Sequence, residues 1–225
     1  MSVEKHVVVI LPHPDDESFG SAGSIANFRS QGIPVTYLCG TLGEMGRNMG
    51  TPPFANRETL PLIRKQELQN ACQVLDMKLQ MLGYRDKTIE FEDRMEIAKH
   101  LKGILDEIEP SLVITHYPGY AVHPDHNALG AAAIKAVELM EVEKRPVVWT
   151  QAFARGFKDD LGEPDVVNDV LDLFEKKMEA ILCHDSQAGG IIGQLKDYKK
   201  LGNDVLQQAK EQFGTETFYT WNFDN

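Results

Sequence analysis

The stretch Leu11-Pro12-His13-Pro14-Asp15-Asp16-Glu17 follows an apolar run over residues 6–11 that is typical of a buried β-strand. It places one imidazole and three carboxylates within five residues, a crowding that is unfavourable unless a positive charge lies among them. A divalent metal ion is the simplest such charge. A second stretch, His123-Pro124-Asp125-His126, has the same character and follows an apolar run over residues 112–115. We predict that these two loops close on one metal ion.

The composition limits the class of protein and its partners. The chain has 225 residues, of which 42% are hydrophobic and 25% charged, as in an ordinary soluble globular protein, and we predict one domain over residues 1–225. The 34 acidic and 23 basic residues give a formal charge of −11, which argues against nucleic acid or a membrane as a partner. Three scattered cysteines without a CxxC pair suit a reducing compartment. With no signal peptide or membrane span in the sequence, a cytoplasmic protein acting on a small molecule is expected.

Strand and helix patterns alternate along about 150 residues of the chain. This alternation predicts an α/β fold with a mostly parallel sheet and helices on both faces. In such sheets the loops at the carboxyl ends of the strands form the binding site, so both motif loops are expected at that edge. Further strands are predicted at residues 34–39, 79–84, 112–115 and 146–153, helices at 18–31, 60–75, 94–108, 127–140, 170–180 and 194–213, a long loop at 40–56 and a β-prone end at 217–221.

The residue types in the two loops suit a mononuclear catalytic zinc site, which uses about three nitrogen or oxygen ligands and leaves one position open for water. His13, Asp16 and His126 would supply two imidazoles and one carboxylate. Asp15 would then remain beside the ion as a general base. Water on a bound metal ion has a pKa of roughly 7 and can attack an unactivated amide at neutral pH.

The remaining histidines differ in what their positions indicate. His123, with Asp125 close enough in sequence to hold its ring, could stabilise or protonate a developing oxyanion and leaving amine. His6 and His100 are interpreted as incidental. His116, at the end of a predicted strand, is as compatible with a structural role as with a functional one.

Other interpretations stay open for each motif alone. The carboxylates of residues 15 and 16 could merely cap the following helix, and His-Pro-Asp-His could be a turn. Two histidines and one carboxylate also form the facial triad of non-haem iron enzymes, although we expect those on β-rich scaffolds. A nucleotide-binding protein would need G-x-G-x-x-G where this chain carries phosphate-repelling carboxylates. A non-catalytic metal-binding protein would not need the spare carboxylate and histidine.

The two motifs together resemble those of the LmbE-like (PIG-L) zinc-dependent N-deacetylases, which remove acetyl groups from N-acetylglucosamine conjugates. The resemblance covers most of the chain and implies a Rossmann-like α/β fold. It implies Zn²⁺ on the three ligands named above, Asp15 as the base, and His123 assisting the oxyanion. Fe²⁺, Co²⁺ and Mn²⁺ stay possible, because these ligands do not select among the ions. Relatives form trimers or hexamers, so a homo-oligomer is expected.

Further matches to the family concern the substrate. Glu44, in Gly40-Thr41-Leu42-Gly43-Glu44, resembles a glutamate that contacts the sugar, and Arg64 resembles an arginine that contacts substrate. Tyr120 resembles an aromatic residue before the second motif, although two residues separate it from His123. His184-Asp185-Ser186-Gln187 matches a His-x-Ser-Gln element near the site.

Within the family, the sequence is most similar to the deacetylases of bacillithiol biosynthesis. That similarity implies hydrolysis of N-acetylglucosaminyl-malate, with another N-acetylglucosaminide or a thiol S-conjugate as the alternative substrate. The two carboxylates of malate need cationic contacts. The hypothesis assigns these to Arg47, Arg57 and Arg64, which lie in or beside the long loop at residues 40–56, called the glycine-rich loop below.

Overall fold

The computed structural model describes residues 4–50, 52–187, 195 and 202–223. Their strands form a seven-stranded sheet. In chain order the strands are β1 (Val7–Leu11), β2 (Val35–Cys39), β3 (Lys78–Met81), β4 (Leu112–His116), β5 (Val147–Gln151), β6 (Val166–Asp169) and β7 (Thr215–Thr220).

Helices connect most of these strands. In the described part of the chain they are α1 (Asp16–Gly20), α2 (Ala22–Ser30), α3 (Leu60–Val74), α4 (Arg94–Ile108), α5 (Pro124–Glu138), α6 (Phe157–Leu161), α7 (Phe174–Leu182) and α8 (Asn203–Phe213). Single 3₁₀ turns lie at Ile89–Phe91, Val142–Lys144, Leu171–Leu173 and Asp185–Gln187.

The sheet has the order β3-β2-β1-β4-β5-β7-β6. Strands β1 to β5 pair in parallel, whereas β7 is antiparallel to both β5 and β6. The predicted mostly parallel α/β sheet is therefore confirmed. The motif strands β1 and β4 are direct neighbours, so the loops that follow them leave the same edge of the sheet side by side.

Side chains of β1 alternate between two hydrophobic clusters, as expected for a strand buried on both faces. Val7, Val9 and Leu11 pack with apolar residues of α2, α3 and α7. Val8 and Ile10 pack on the opposite face with apolar residues of α4 and α5. The prediction of helices on both faces of the sheet is confirmed.

Several boundaries differ from the predicted ones. The helix expected over residues 18–31 is two helices, α1 and α2, separated at Ser21. The helix expected from residue 127 begins at Pro124, because His123 caps it. The helix expected over 170–180 is a 3₁₀ turn followed by α7, and β6 and α6 are additional elements. Of the helix expected over 194–213, residues 194 and 196–201 lie outside the described residues.

Backbone and side-chain hydrogen bonds fix the loop after β1 against the loop after β2. The amide of Thr41 donates to the carbonyl of Pro12 at 2.8 Å, and the buried hydroxyl of Tyr37 donates to the carbonyl of His13 at 2.8 Å. His13 is thus held at the edge where the parallel strands end. Among the described residues, no helix is both long enough and apolar enough to span a bilayer.

Candidate metal centre

Two ring nitrogens and one carboxylate converge at the carboxyl ends of β1 and β4. The Nδ1 atom of His13 lies 3.0 Å from Nε2 of His126. The carboxylate of Asp16 lies 3.5 Å from the same atom of His13 and 3.2 Å from that of His126. The structure therefore brings together the three side chains that the sequence nominated as ligands.

The hydrogen bonds on the outer side of each ring determine which nitrogen faces inward without a proton. His126 donates from Nδ1 to the carbonyl of Ala121 at 2.9 Å. His13 directs Nε2 towards the carboxylates of Asp86 and Asp125, at 3.2 and 3.4 Å. When both rings are neutral, their inward nitrogens carry lone pairs, which face each other and the carboxylate of Asp16. This arrangement is repulsive unless a cation lies between them.

The spacing of these donor atoms fits one small divalent ion. In a tetrahedral site with bonds of about 2.1 Å, neighbouring ligand atoms lie about 3.4 Å apart. The two ring nitrogens lie 3.0 Å apart, and each lies near that spacing from one oxygen of Asp16: Oδ2 is 3.5 Å from His13 and Oδ1 is 3.2 Å from His126. The donor set therefore suits a metal ion such as Zn²⁺.

His116, whose role the sequence left open, belongs to this cluster. It is the last residue of β4, and one ligand atom each from Asp16, His116 and His126 lie within 4.8 Å of one another. Its ring lies 4.2 Å from that of His126, between centroids. Burial lowers the pKa of His116 to about 3, so its ring is neutral. His116 is therefore a further donor beside the nominated ligands.

Asp15 is held from two sides. Its backbone has a φ of 109°, in the left-handed region that non-glycine residues rarely adopt. Its amide donates to Glu17 at 3.0 Å, and its carboxylate accepts from Arg64 at 3.3 Å. Burial raises the pKa of Asp15 to about 6, although the charge of Arg64 acts in the opposite direction. The side chain keeps 19% of its surface exposed.

His123 caps the start of α5 and presents one nitrogen to the site. Its Nδ1 atom accepts a hydrogen bond from the amide of Asp125 at 3.2 Å, which leaves the proton on Nε2. Its ring lies 4.8 Å from that of His13, edge to face. His123 can therefore donate a hydrogen bond from Nε2 to a group bound near the centre.

Asp125 contacts the ring of His123 through its backbone amide, whereas its carboxylate lies against His13 at 3.4 Å. It is fully buried and accepts from the amides of Lys87 at 2.6 Å and Ile89 at 3.2 Å. Because α5 begins at Pro124, Asp125 lies in its first turn. The carboxylate is directed towards the connection between β3 and α4. The carboxylate of Asp125 therefore orients a nominated ligand, His13.

Asp86 is a site residue that the sequence analysis missed. It is buried, it contacts His13, and it accepts from the amide of Met45 at 2.7 Å. The available signal was its position after β3, since an acidic residue after a parallel strand reaches the same edge as the two motifs. A single acidic residue at this position forms no motif that the sequence analysis could recognise.

The three nominated substrate contacts lie in different surroundings. Arg64 is buried and donates to the carbonyls of Gly43 at 3.0 Å and Pro14 at 2.5 Å. It therefore joins the glycine-rich loop to the first motif, residues 11–17, called the acidic loop below. Glu44 accepts from the amide of Asp86 at 2.9 Å. Tyr120 packs on Tyr117, with ring centroids 5.4 Å apart, and lies outside the metal cluster. Their contacts with substrate stay predictions.

Two cavities lie near the centre. One of about 340 Å³ is bordered by Asp16, His116 and His126, together with Gln151 and Phe153. The other, of about 360 Å³, lies along the glycine-rich loop, and its described lining contains three cations and no carboxylate: Arg47, Arg57 and Lys87. The centre therefore has one cavity at its ligands and a cationic cavity close by.

Comparison with known sequences gives a consistent result. A profile of the PIG-L family, described as GlcNAc-PI de-N-acetylase, matches residues 8–137, which include both motifs. The chain is 49% identical over 224 residues to the Bacillus subtilis protein named "Probable N-acetyl-alpha-D-glucosaminyl L-malate deacetylase 2", covering 99% of this chain and 100% of that protein. The resemblance inferred from the motifs is confirmed.

Solved structures agree on the fold. The N,N'-diacetylchitobiose deacetylase from Pyrococcus horikoshii matches with a TM-score of 0.72 and 26% identity, over 97% of this chain and 84% of that chain. A 4-carboxy-2-hydroxymuconate hydratase from Pseudomonas putida matches with a TM-score of 0.74 at 18% identity, over 98% and 99%, which shows a shared fold alone. With the sequence profile and the 49% identical relative, these matches lead to one conclusion: the chain belongs to the PIG-L family of N-acetylglucosamine de-N-acetylases.

Proposed function

We propose that the protein is a Zn²⁺-dependent deacetylase that hydrolyses N-acetylglucosaminyl-malate to glucosaminyl-malate and acetate. One observation carries the proposal: ring nitrogens of His13 and His126 meet the carboxylate of Asp16, and the neighbouring residue Asp15 supplies a second carboxylate, which Arg64 contacts. Membership of a de-N-acetylase family supports the reaction class. The name of the Bacillus subtilis relative supports the substrate.

His13, Asp16 and His126 would hold the ion, with His116 as an adjacent neutral donor. A divalent ion there would act as a Lewis acid and would lower the pKa of water to roughly 7. Zn²⁺ suits this nitrogen and oxygen donor set, and Fe²⁺, Co²⁺ and Mn²⁺ are alternatives that only metal analysis separates.

The other residues of the centre handle protons and charge. Asp15 accepts a proton from the water whose oxygen bonds to the acetyl carbon. His123 donates a hydrogen bond from Nε2 to the carbonyl oxygen as negative charge develops on it. The bond between carbon and nitrogen then breaks, and Asp15 delivers its proton to the departing amine. The step yields acetic acid and the amine of the amino sugar, and transfer of the acid proton to the amine gives acetate and the ammonium form, so atoms and charges balance.

The cationic cavity supports a substrate with two carboxylates. Arg47, Arg57 and Lys87 line it, whereas Arg64 is buried against backbone carbonyls, so Lys87 replaces Arg64 in the hypothesis drawn from the sequence. The backbone amide of Lys87 bonds Asp125, which contacts His13. Lys87 and Asp125 therefore connect the cavity to His13, and in our proposal the amino-sugar conjugate extends from the centre into the cavity.

The test uses full-length protein reconstituted with each of the four metal ions. It is incubated with N-acetylglucosaminyl-malate or with the uncharged methyl glycoside of N-acetylglucosamine, and both free amine and acetate are measured. We expect equal amounts of both products, and Asp15→Asn should keep its metal while turnover falls about 10²- to 10⁴-fold. Failure of every metal form to release amine from either substrate would overturn the proposed reaction.

The malate assignment has its own test. In the double variant Arg57→Gln with Lys87→Met, we expect KM for the malate conjugate to rise about tenfold or more, because two charge-assisted contacts are lost. The methyl glycoside should show a much smaller change in KM. Lys99→Gln, an exposed lysine on α4 paired with Glu96, is the matched control. An equal change for both substrates would refute the malate assignment and leave the deacetylase proposal standing.

A further inference from the structure

The turn formed by residues 184–187, after α7, contacts the acidic loop. His184 and Glu17 are both buried, and Nε2 of His184 lies 2.8 Å from Oε1 of Glu17. The same oxygen of Glu17 accepts the hydroxyl of Ser18 at 2.6 Å, and the other accepts the backbone amide of Asp15 at 3.0 Å. A buried chain of hydrogen bonds therefore runs from His184 through Glu17 to Asp15.

The same turn also binds α3, the helix that carries Arg64. Ser186 is fully buried and donates from both its amide and its hydroxyl to the carboxylate of Glu67, each at 2.6 Å. Glu67 lies one helical turn after Arg64 on α3, and Arg64 contacts the carboxylate of Asp15. The turn is therefore bonded to the backbone of Asp15 through Glu17, and to the helix whose Arg64 contacts the side chain of Asp15.

The turn also fixes the glycine-rich loop. The carbonyl of Ser186 accepts from the amide of Met49 at 2.6 Å, and the side chain of Gln187 donates to the carbonyl of Arg47 at 2.9 Å. Residues 184–187 therefore connect the acidic loop, α3 and the loop that borders the cationic cavity. None of these contacts involves His13, Asp16 or His126.

Asp15 needs such support because of its backbone. A non-glycine residue at a φ of 109° is held there only when its surroundings impose that conformation, and such residues cluster at active sites. We propose that His184 is a positioning residue for Asp15, acting through Glu17. This inference rests on the proposed function, in which Asp15 is the base.

The first experiment separates positioning from binding. Metal-loaded protein carrying His184→Ala should show kcat about 10- to 100-fold lower, as for other residues that orient a functional group, with KM and metal content close to wild type. His184→Gln should recover part of kcat, because its amide can still donate to Glu17. His100→Gln, an exposed histidine paired with Tyr84, is the control. A change in KM or metal content with kcat intact would overturn the proposal.

A double-mutant cycle then tests whether the effect passes through Asp15. In the Asp15→Asn background, His184→Ala should lower the residual rate only slightly, because residues that act as a unit are non-additive. Full additivity would refute the positioning role even if the enzyme is an active deacetylase. If His184→Ala does not fold, His184→Gln is judged in the same cycle. An inactive wild-type protein would instead refute the proposed function.

Discussion

The Nδ1 atom of His13 lies 3.0 Å from the Nε2 atom of His126, although the two residues are 113 positions apart in sequence. Their proximity follows from the pairing of β1 with β4, which places the loops after both strands at one edge of the sheet. The outer nitrogen of each ring is engaged by a hydrogen-bond acceptor. These outer contacts therefore orient the two rings before any ion binds.

His126→Ala should remove metal binding and activity together. The variant leaves one imidazole and one carboxylate of the nominated set, and a catalytic site with two protein ligands holds metal weakly. Metal content after dialysis, measured by mass spectrometry, should fall well below one ion per chain, and added Zn²⁺ should no longer raise Tm. His100→Ala is the matched control. Retention of one tightly bound ion would show that His126 is not a ligand.

Asp125→Asn should weaken metal binding, because Asp125 orients His13. The amide keeps an acceptor for the backbone of Lys87 but loses the charge that makes the ring of His13 a better donor. Changes in such outer partners cost about 10- to 100-fold in metal affinity or activity. Competition with a chromophoric chelator measures the affinity. Unchanged affinity with a lower kcat would favour the original expectation that Asp125 serves His123.

Gly130→Ala should destabilise the protein through the contact between α5 and β4. A Cβ atom at Gly130 would lie 2.4 Å from the carbonyl oxygen of His116, so the helix must shift away from the end of the strand. We expect a loss of about 1–3 kcal/mol in the free energy of unfolding, as for other overpacking changes. Gly103→Ala in α4 is the control, because its Cβ meets no atom within 4 Å, and it should gain about 0.5–1 kcal/mol. Equal effects of both substitutions would contradict this packing.

The pair of His184 and Glu17 should make stability depend on pH. Burial opposes the charge of the ring, but Glu17, with smaller contributions from Asp15 and Glu67, raises the pKa of His184 above its usual 6.5. The stabilisation is therefore fully present below about pH 6.5 and is lost as pH rises through the folded-state pKa. Urea unfolding of metal-free wild type and His184→Gln should show a stability difference that shrinks above pH 6.5. A difference that grows with pH would mean that the ring is buried neutral.

Local sequence patterns were sufficient for most elements. The predicted helix at residues 94–108 matches α4, because its apolar residues repeat with the helical period and face one side of the sheet. The 18–31 segment was harder, because a single amphipathic pattern gives no sign of the break at Ser21. That break follows from packing, since a Cβ atom at Gly20 would lie 2.5 Å from the side chain of Gln151 on β5.

The residue pattern alone was sufficient to predict the alternation of strands and helices and the two acidic, histidine-rich loops. It also predicted that these loops meet at one edge, because parallel strands end together. Which carboxylate contacts which ring depends on the folded arrangement. Asp86 and His116 join the centre, Asp125 lies on His13, and Arg64 and residues 184–187 hold the loops. These contacts join residues from different strands and helices, and their distances depend on how the helices pack on the sheet. No local pattern of residue types records that packing.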